Sequence, residues 1–269
     1  SISNRSGSLL FYTDGSTIYN RIGEIMPNGQ ELRGGNSSTQ SALIIPNPQN
    51  DNIYYVFTVN HAEKKETDEE KFGLNYSVVD MRLQNGFGDV VPESKNTHLI
   101  TYDVNDKEQA DWKCSEKIAA TSHSNQKSYW VLTHFIDTFY AFQVDQDGVI
   151  HEPVTSKTNE VIDIVNFHTP NSLYTNMSAV GYLKISPDGK KVTIVHSATT
   201  TRQSSGKVYL YDFDDSTGKV TNNAITLLNG RYPYGVEFSP KSSKVYVSSN
   251  NYLIQKDQTT FEGSNLFQF

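Results

Sequence analysis

The side chains best suited to chemistry in this chain are scattered, and none lies in a short catalytic motif. His61, His134 and His196 each close or follow a run of alternating apolar residues. Imidazoles gathered at one mouth can ligate a metal ion, but these three lie far apart in the chain and have no local ligand spacing. Aligning their strands sets His134 and His196 one residue apart, on opposite faces of the pleat. The expectation is strand-end histidines and no metal site. The acidic groups Asp145, Asp147 and Asp163, and Asp212, Asp214 and Asp215, lack the frame and closing Glu of a calcium loop, and they read as tight turns. Cys114 is the single cysteine; it excludes an intrachain disulfide and reads as a loop residue rather than a nucleophile. There is no G-x-S-x-G, P-loop or G-x-G-x-x-G. Glycoside hydrolysis needs paired carboxylates, and the innermost strands offer only Glu237 and, just outside one, Glu116. No catalytic residue and no cofactor are expected.

The elements that must position these residues are strands. Apolar residues make up 36% of the 269, and 16 Tyr and 13 Phe sit on an otherwise polar chain, which suits strands packed on one face. The net charge of −7 comes without a basic stripe, so nucleic acid is not an expected partner. No apolar run approaches the length of a membrane span.

A repeat organises the strands. Gly181–Val195 and Tyr234–Ser248 each read as a strand, a turn opened by Ser-Pro, then a second alternating strand. Asn47-Pro48-Gln49-Asn50 and Ser122–Gln126 occupy the same place in earlier units. A third strand follows (Tyr76–Asp80, Phe139–Gln143, Val208–Asp212), then a polar turn and a short fourth strand from Val90, Val149 or Val220. First strands are expected near 1–3, 41–46, 117–122, 180–186 and 234–239, and second strands near 9–13, 53–59, 128–133, 191–196 and 244–249. The fold class is therefore all-β: a single β-propeller region of four-stranded antiparallel blades. About five blades are expected (1–35, 36–95, 96–160, 161–228 and an incomplete 229–269), as part of a larger, seven-bladed ring and a longer chain.

In such a ring, residues before the first strand or after the second share one rim. The rim candidates for binding are Asp14, Gln40, His61, His134, Tyr182, His196, Tyr234 and Asn250. The charged run His61–Lys71 has helix-like composition and sits on the same rim as an insertion.

The segments Leu9–Gly15, Ile25–Gly29, Ser38–Ala42, Asn52–Thr58, Tyr76–Asp80, Gly181–Gly189 and Tyr234–Pro240 together resemble the WD40-like propeller region of large Bacteroidetes surface proteins, which often end in a gliding-motility-associated or type IX secretion sorting domain. The resemblance covers nearly the whole chain. It implies a secreted or surface-anchored protein with a C-terminal sorting domain, and supplies no catalytic residues. The expectation that follows is a non-catalytic extracellular module for binding, adhesion or display, with a protein or glycan ligand. Two alternatives stand beside it: a lactonase-like or other propeller enzyme with a site at the ring mouth, and a purely structural repeat.

Overall fold

The computed structural model describes residues 1–65, 73–169, 173–200, 205–255 and 258–269. The chain is mostly β-sheet, 48% strand and 5% helix, and every pairing among the described residues is antiparallel, as short polar turns allow between consecutive strands. Sheet 1 holds Ile2–Ser3, Leu9–Thr13 and Ile18–Asn20. Sheet 2 holds Ala42–Asn47, Asn50–Val59 and Leu74–Asp80, with Asp89–Val90 and Thr97–Leu99 both paired to the last of these. Sheet 3 is Ala119–Ser122, Tyr129–Phe135, Thr138–Val144 and Val154–Lys157, in that order. Sheet 4 contains Leu183–Ile185, Lys191–His196 and Gly206–Asp214. The long strand Ile225–Phe238 pairs with sheet 4 through its first half and opens sheet 5 through its second, followed by Val245–Gln255 and Gln258–Gln268.

The cores lie between consecutive sheets. Phe11, Ile18 and Met26 of the first unit pack on Tyr54, Val56 and Val79 of the second. Phe57, Val59 and Leu74 meet Val131, Phe142 and Val144 of the third. Trp130, Leu132 and Phe139 meet Val192, Ile194 and Tyr209 of the fourth. Val195 and Val208 meet Val236, Phe238 and Val247 of the fifth. Alternate residues of one second strand thus serve opposite clusters, which is why these strands are apolar on both faces.

Several expectations differ from what is observed. Unit 1 has no extended fourth strand among the described residues, only one bridge between Tyr19 and Ile25. The expected boundary at 228/229 falls inside the strand Ile225–Phe238, because that one strand is hydrogen-bonded to both neighbours. The insertion His61–Lys71 lies mostly outside the described residues. Its described part is not helical: Glu63–Lys65 pairs with Leu173–Asn176, which forms a hairpin with Asn166–Thr169. A short helix, Lys107–Trp112, has Asp106 as its cap. No helix among the described residues is long and apolar enough to cross a membrane.

Candidate functional site

The entry segments of sheets 2, 3 and 4 are laced together. Gln40, entering sheet 2, exchanges two hydrogen bonds with Leu183 of sheet 4: its Nε2 donates to the carbonyl (3.1 Å) and its Oε1 accepts from the amide (2.9 Å). Gly181 N donates to Thr39 Oγ1 at 3.2 Å. Glu116, entering sheet 3, is buried and fully engaged. Its Oε2 accepts from Thr39 N and Oγ1, both at 2.8 Å, and its Oε1 accepts from Ala62 N at 2.6 Å.

Lys117 follows and has no exposure at all. The chain places it there because Ile118 and Ala119 carry on into the sheet 3 strand, and Thr133 Oγ1 grips the Lys117 carbonyl at 2.6 Å. Its ammonium head donates to the carbonyls of Ser178 (2.8 Å) and Ala179, just past the hairpin that ends at Asn176. Burial pulls the Lys117 amine down from the usual 10.5 to about 7, against the opposing pull of the Glu116 carboxylate and Cys114.

Two imidazoles flank it. His134 and His196 are both buried, with ring centres 5.5 Å apart. Burial first, then the Lys117 charge, holds His134 down at about 3, with Asp137 opposing. The same causes, with His134 added, hold His196 well below 6.5. Both rings are therefore neutral at pH 7. His196 Nδ1 lies 3.0 Å from the Ser178 carbonyl, which can only accept, so the proton sits on Nδ1 and Nε2 keeps its lone pair. Ser115 Oγ donates to the His134 carbonyl at 2.6 Å. A void of about 10 Å³ lies among Ser115, Lys117, His134, Ile162, Ser178 and His196, the volume that one water occupies.

A neutral amine that donates two N–H bonds to carbonyls keeps a lone pair; the ammonium keeps a third N–H in its place. Lys117 can therefore take up and return one proton near pH 7 without moving its other contacts. An amine in that state has the protonation behaviour that general-base chemistry near neutral pH requires. The two carboxylates of the inner strands do not form a pair for glycoside chemistry. Glu116 serves the contacts above, and Glu237 meets Lys184 Nζ at 2.8 Å on the exposed side. Among the described residues, no group of three or more His, Cys, Asp or Glu is placed to hold a metal ion.

No protein-family model matches the chain. No curated protein matches it either. Solved structures do. One is a periplasmic gluconolactonase of Pseudomonas aeruginosa, at 10% identity and a TM-score of 0.41 over 95% of this chain and 66% of that one. Another is an endo-arabinase from Bacteroides thetaiotaomicron, at 12% identity and 0.45 over 98% and 90%. A third is an α-L-arabinofuranosidase from Clostridium thermocellum, at 10% and 0.38 over 83% and 71%. This chain thus spans just under two thirds of the lactonase. These are enzymes by name, and that finding corrects two linked expectations: the non-catalytic module for adhesion or display, and the absence of an enzyme.

The rim candidates separate into groups. His134 and His196 meet because they lie on opposite faces of equivalent strands: the face of sheet 3 that looks at sheet 4 touches the face of sheet 4 that looks back. Tyr182 and Tyr234 meet edge to face at 5.7 Å, and Tyr182 N donates to the Tyr234 carbonyl. Gln40 reaches the same convergence through Leu183. Asp14 caps its own turn, accepting from Ser16 and Thr17. Asn250 accepts from Ser264 Oγ within sheet 5. His61 follows the second strand of sheet 2, where the Gly35 backbone comes close to its own. Sequence reasoning missed Lys117 and Ser178. A Glu-Lys pair set directly before the apolar run Ile118-Ala119-Ala120 was the available signal for Lys117; nothing in the sequence marks Ser178.

Proposed function

We propose that the chain is a β-propeller enzyme of the lactonase-like class, with its site at the ring mouth and Lys117 as the general base of a hydrolytic reaction. Five units of successive sheets, with four cores each shared by neighbours, support the propeller reading. One observation carries the chemistry: Lys117 is wholly buried, its amine is held near 7, and among the described residues its side chain bonds to two carbonyls beside a water-sized void.

In the reaction, neutral Lys117 takes a proton from water as the water oxygen bonds to the lactone carbonyl carbon. The ring C–O bond then breaks, and the ammonium returns the proton to the leaving alkoxide. The neutral imidazoles contribute a lone pair at His196 Nε2 and keep the pocket free of a competing positive charge. A substrate needs more room than the void offers, so this reading requires the wall segments that carry Ile162 and Ser178-Ala179 to move aside.

The test is acid release from a panel of five- and six-membered sugar-acid lactones, followed by pH-stat. The wild-type protein is expected to turn over at least one of them, with kcat/KM rising through an apparent pKa near 7. Lys117→Met is expected to lower kcat by at least about 10²-fold, the scale of lost general-base catalysis. No turnover across the panel, or full activity in Lys117→Met, would overturn the assignment.

A further inference from the structure

The strand Tyr129–Phe135 runs from one end of sheet 3 to the other, about 20 Å at strand rise. His134 lies near one end, at the Lys117 centre. Tyr129, at the other end, lines a groove of ≈790 Å³ between sheets 1 and 2. A second hollow of ≈200 Å³ adjoins the neighbouring turn through Gln49 and Gln146. The turn Asn47–Asn50 separates the two, tied across by Asn47 Nδ2 donating to the Gln146 carbonyl at 3.0 Å.

We propose that this far end is a second binding site, for an uncharged oligosaccharide. The combined volume lies at the scale of ligand sites, about 300–1,000 Å³. The charges cancel in each hollow. Arg5 and Asp51 face each other at 3.7 Å at the edge of the groove, and Lys127 and Asp145 are the charged residues of the smaller hollow. A charged ligand finds no net counter-charge in either.

The uncommitted polar groups are of the kind that sugars match. The side-chain amides of Gln49 and Asn52 and the Tyr129 hydroxyl make no hydrogen bond among the described residues. Each can donate and accept, as a sugar hydroxyl does. The half-buried Tyr129 ring offers a flat apolar face beside them. An extended peptide is the poorer fit, because the turn backbone it would pair with is already used. Asn47 Oδ1 takes the amides of Gln49 and Asn50, and Tyr54 Oη takes up the Asp51 carbonyl.

The site stands independently of the Lys117 chemistry, and the experiment keeps the two apart. Neutral oligosaccharides of four to six residues, built from glucose, xylose, arabinose or galactose, are titrated into the protein by calorimetry. At least one series is expected to bind. The double variant Gln49→Ala/Asn52→Ala is expected to weaken it at least about 10-fold without lowering the melting temperature. Tyr129→Phe, which keeps the ring and loses the hydroxyl, is expected to weaken it severalfold. Lys117→Met is expected to leave it unchanged. The proposal is overturned by no binding at millimolar sugar, or by undiminished binding in the double variant. A proline-rich peptide that binds while the sugars do not, and is lost in the double variant, overturns the ligand class.

Discussion

Lys117, His134 and His196 are bases that burial pushes toward their neutral forms, and that gives the fold a pH signature. Between pH 7 and 10.5 the unfolded Lys117 is protonated and the folded one largely is not. The unfolded state then binds more protons, so stability rises with pH in this window, at up to ~1.4 kcal/mol per unit. His134 acts the same way between about 3 and 6.5, and His196 also from 6.5 downward, so stability falls as pH drops below 6.5. Groups facing the pair are Lys117 itself, Asp137 and Lys207. Urea unfolding across pH 5 to 10 is expected to show a stability gain above pH 7 in the wild type that flattens in Lys117→Met. Identical slopes above pH 7 in the two proteins would falsify the burial of the Lys117 amine there. The histidines were visible in the sequence as strand-end residues, but their meeting was not. Alignment put them on opposite faces, which reads as separation within one sheet and becomes contact between two stacked sheets.

Elements were more legible than the site. Ser186-Pro187-Asp188-Gly189 and Ser239-Pro240-Lys241-Ser242 form the same turn. In each the serine hydroxyl takes two downstream amides, and the third residue after it has positive φ, +70° at Gly189 and +57° at Ser242. Turn chemistry is local, so it survives in the sequence even where Ser replaces Gly. The hairpin of Asn166–Thr169 and Leu173–Asn176 was not legible, because it owes its partner to a strand about a hundred residues earlier. Close approaches between neighbouring strands leave as little trace in the sequence. Gly181 has φ +117°, and a Cβ there would stand 2.8 Å from the Val195 carbonyl. Gly181→Ala is expected to cost ~2–3 kcal/mol, since a strained backbone and a clash with main chain add. A urea midpoint equal to wild type would mean that the entry to Leu183–Ile185 can shift freely.

At the scale of the whole molecule, stability is organised like a stack. Each internal sheet is gripped by a core on both faces, whereas sheet 5 shares one core with sheet 4 and presents Phe261, Leu266 and Phe269 to solvent, Leu266 at 72% exposure. Local opening follows the number of buried contacts that must be broken. Amides of Tyr129–Leu132, in a stretch paired on both sides and set between two cores, are expected to exchange with deuterium only through global unfolding. Those of Leu266 to Gln268, on the last strand of sheet 5, are expected to exchange at least about 10²-fold faster. Leu132→Ala, which removes a side chain with no exposure from the core between sheets 3 and 4, tests the same idea from inside. It is expected to cost ~2–5 kcal/mol and to raise exchange throughout sheets 3 and 4. Equal protection in the sheet 3 and sheet 5 strands would mean that the units unfold as one body, with no graded stability along the stack. The binding end and the Lys117 end share the strand Tyr129–Phe135, and in that case they would lose their structure in a single step.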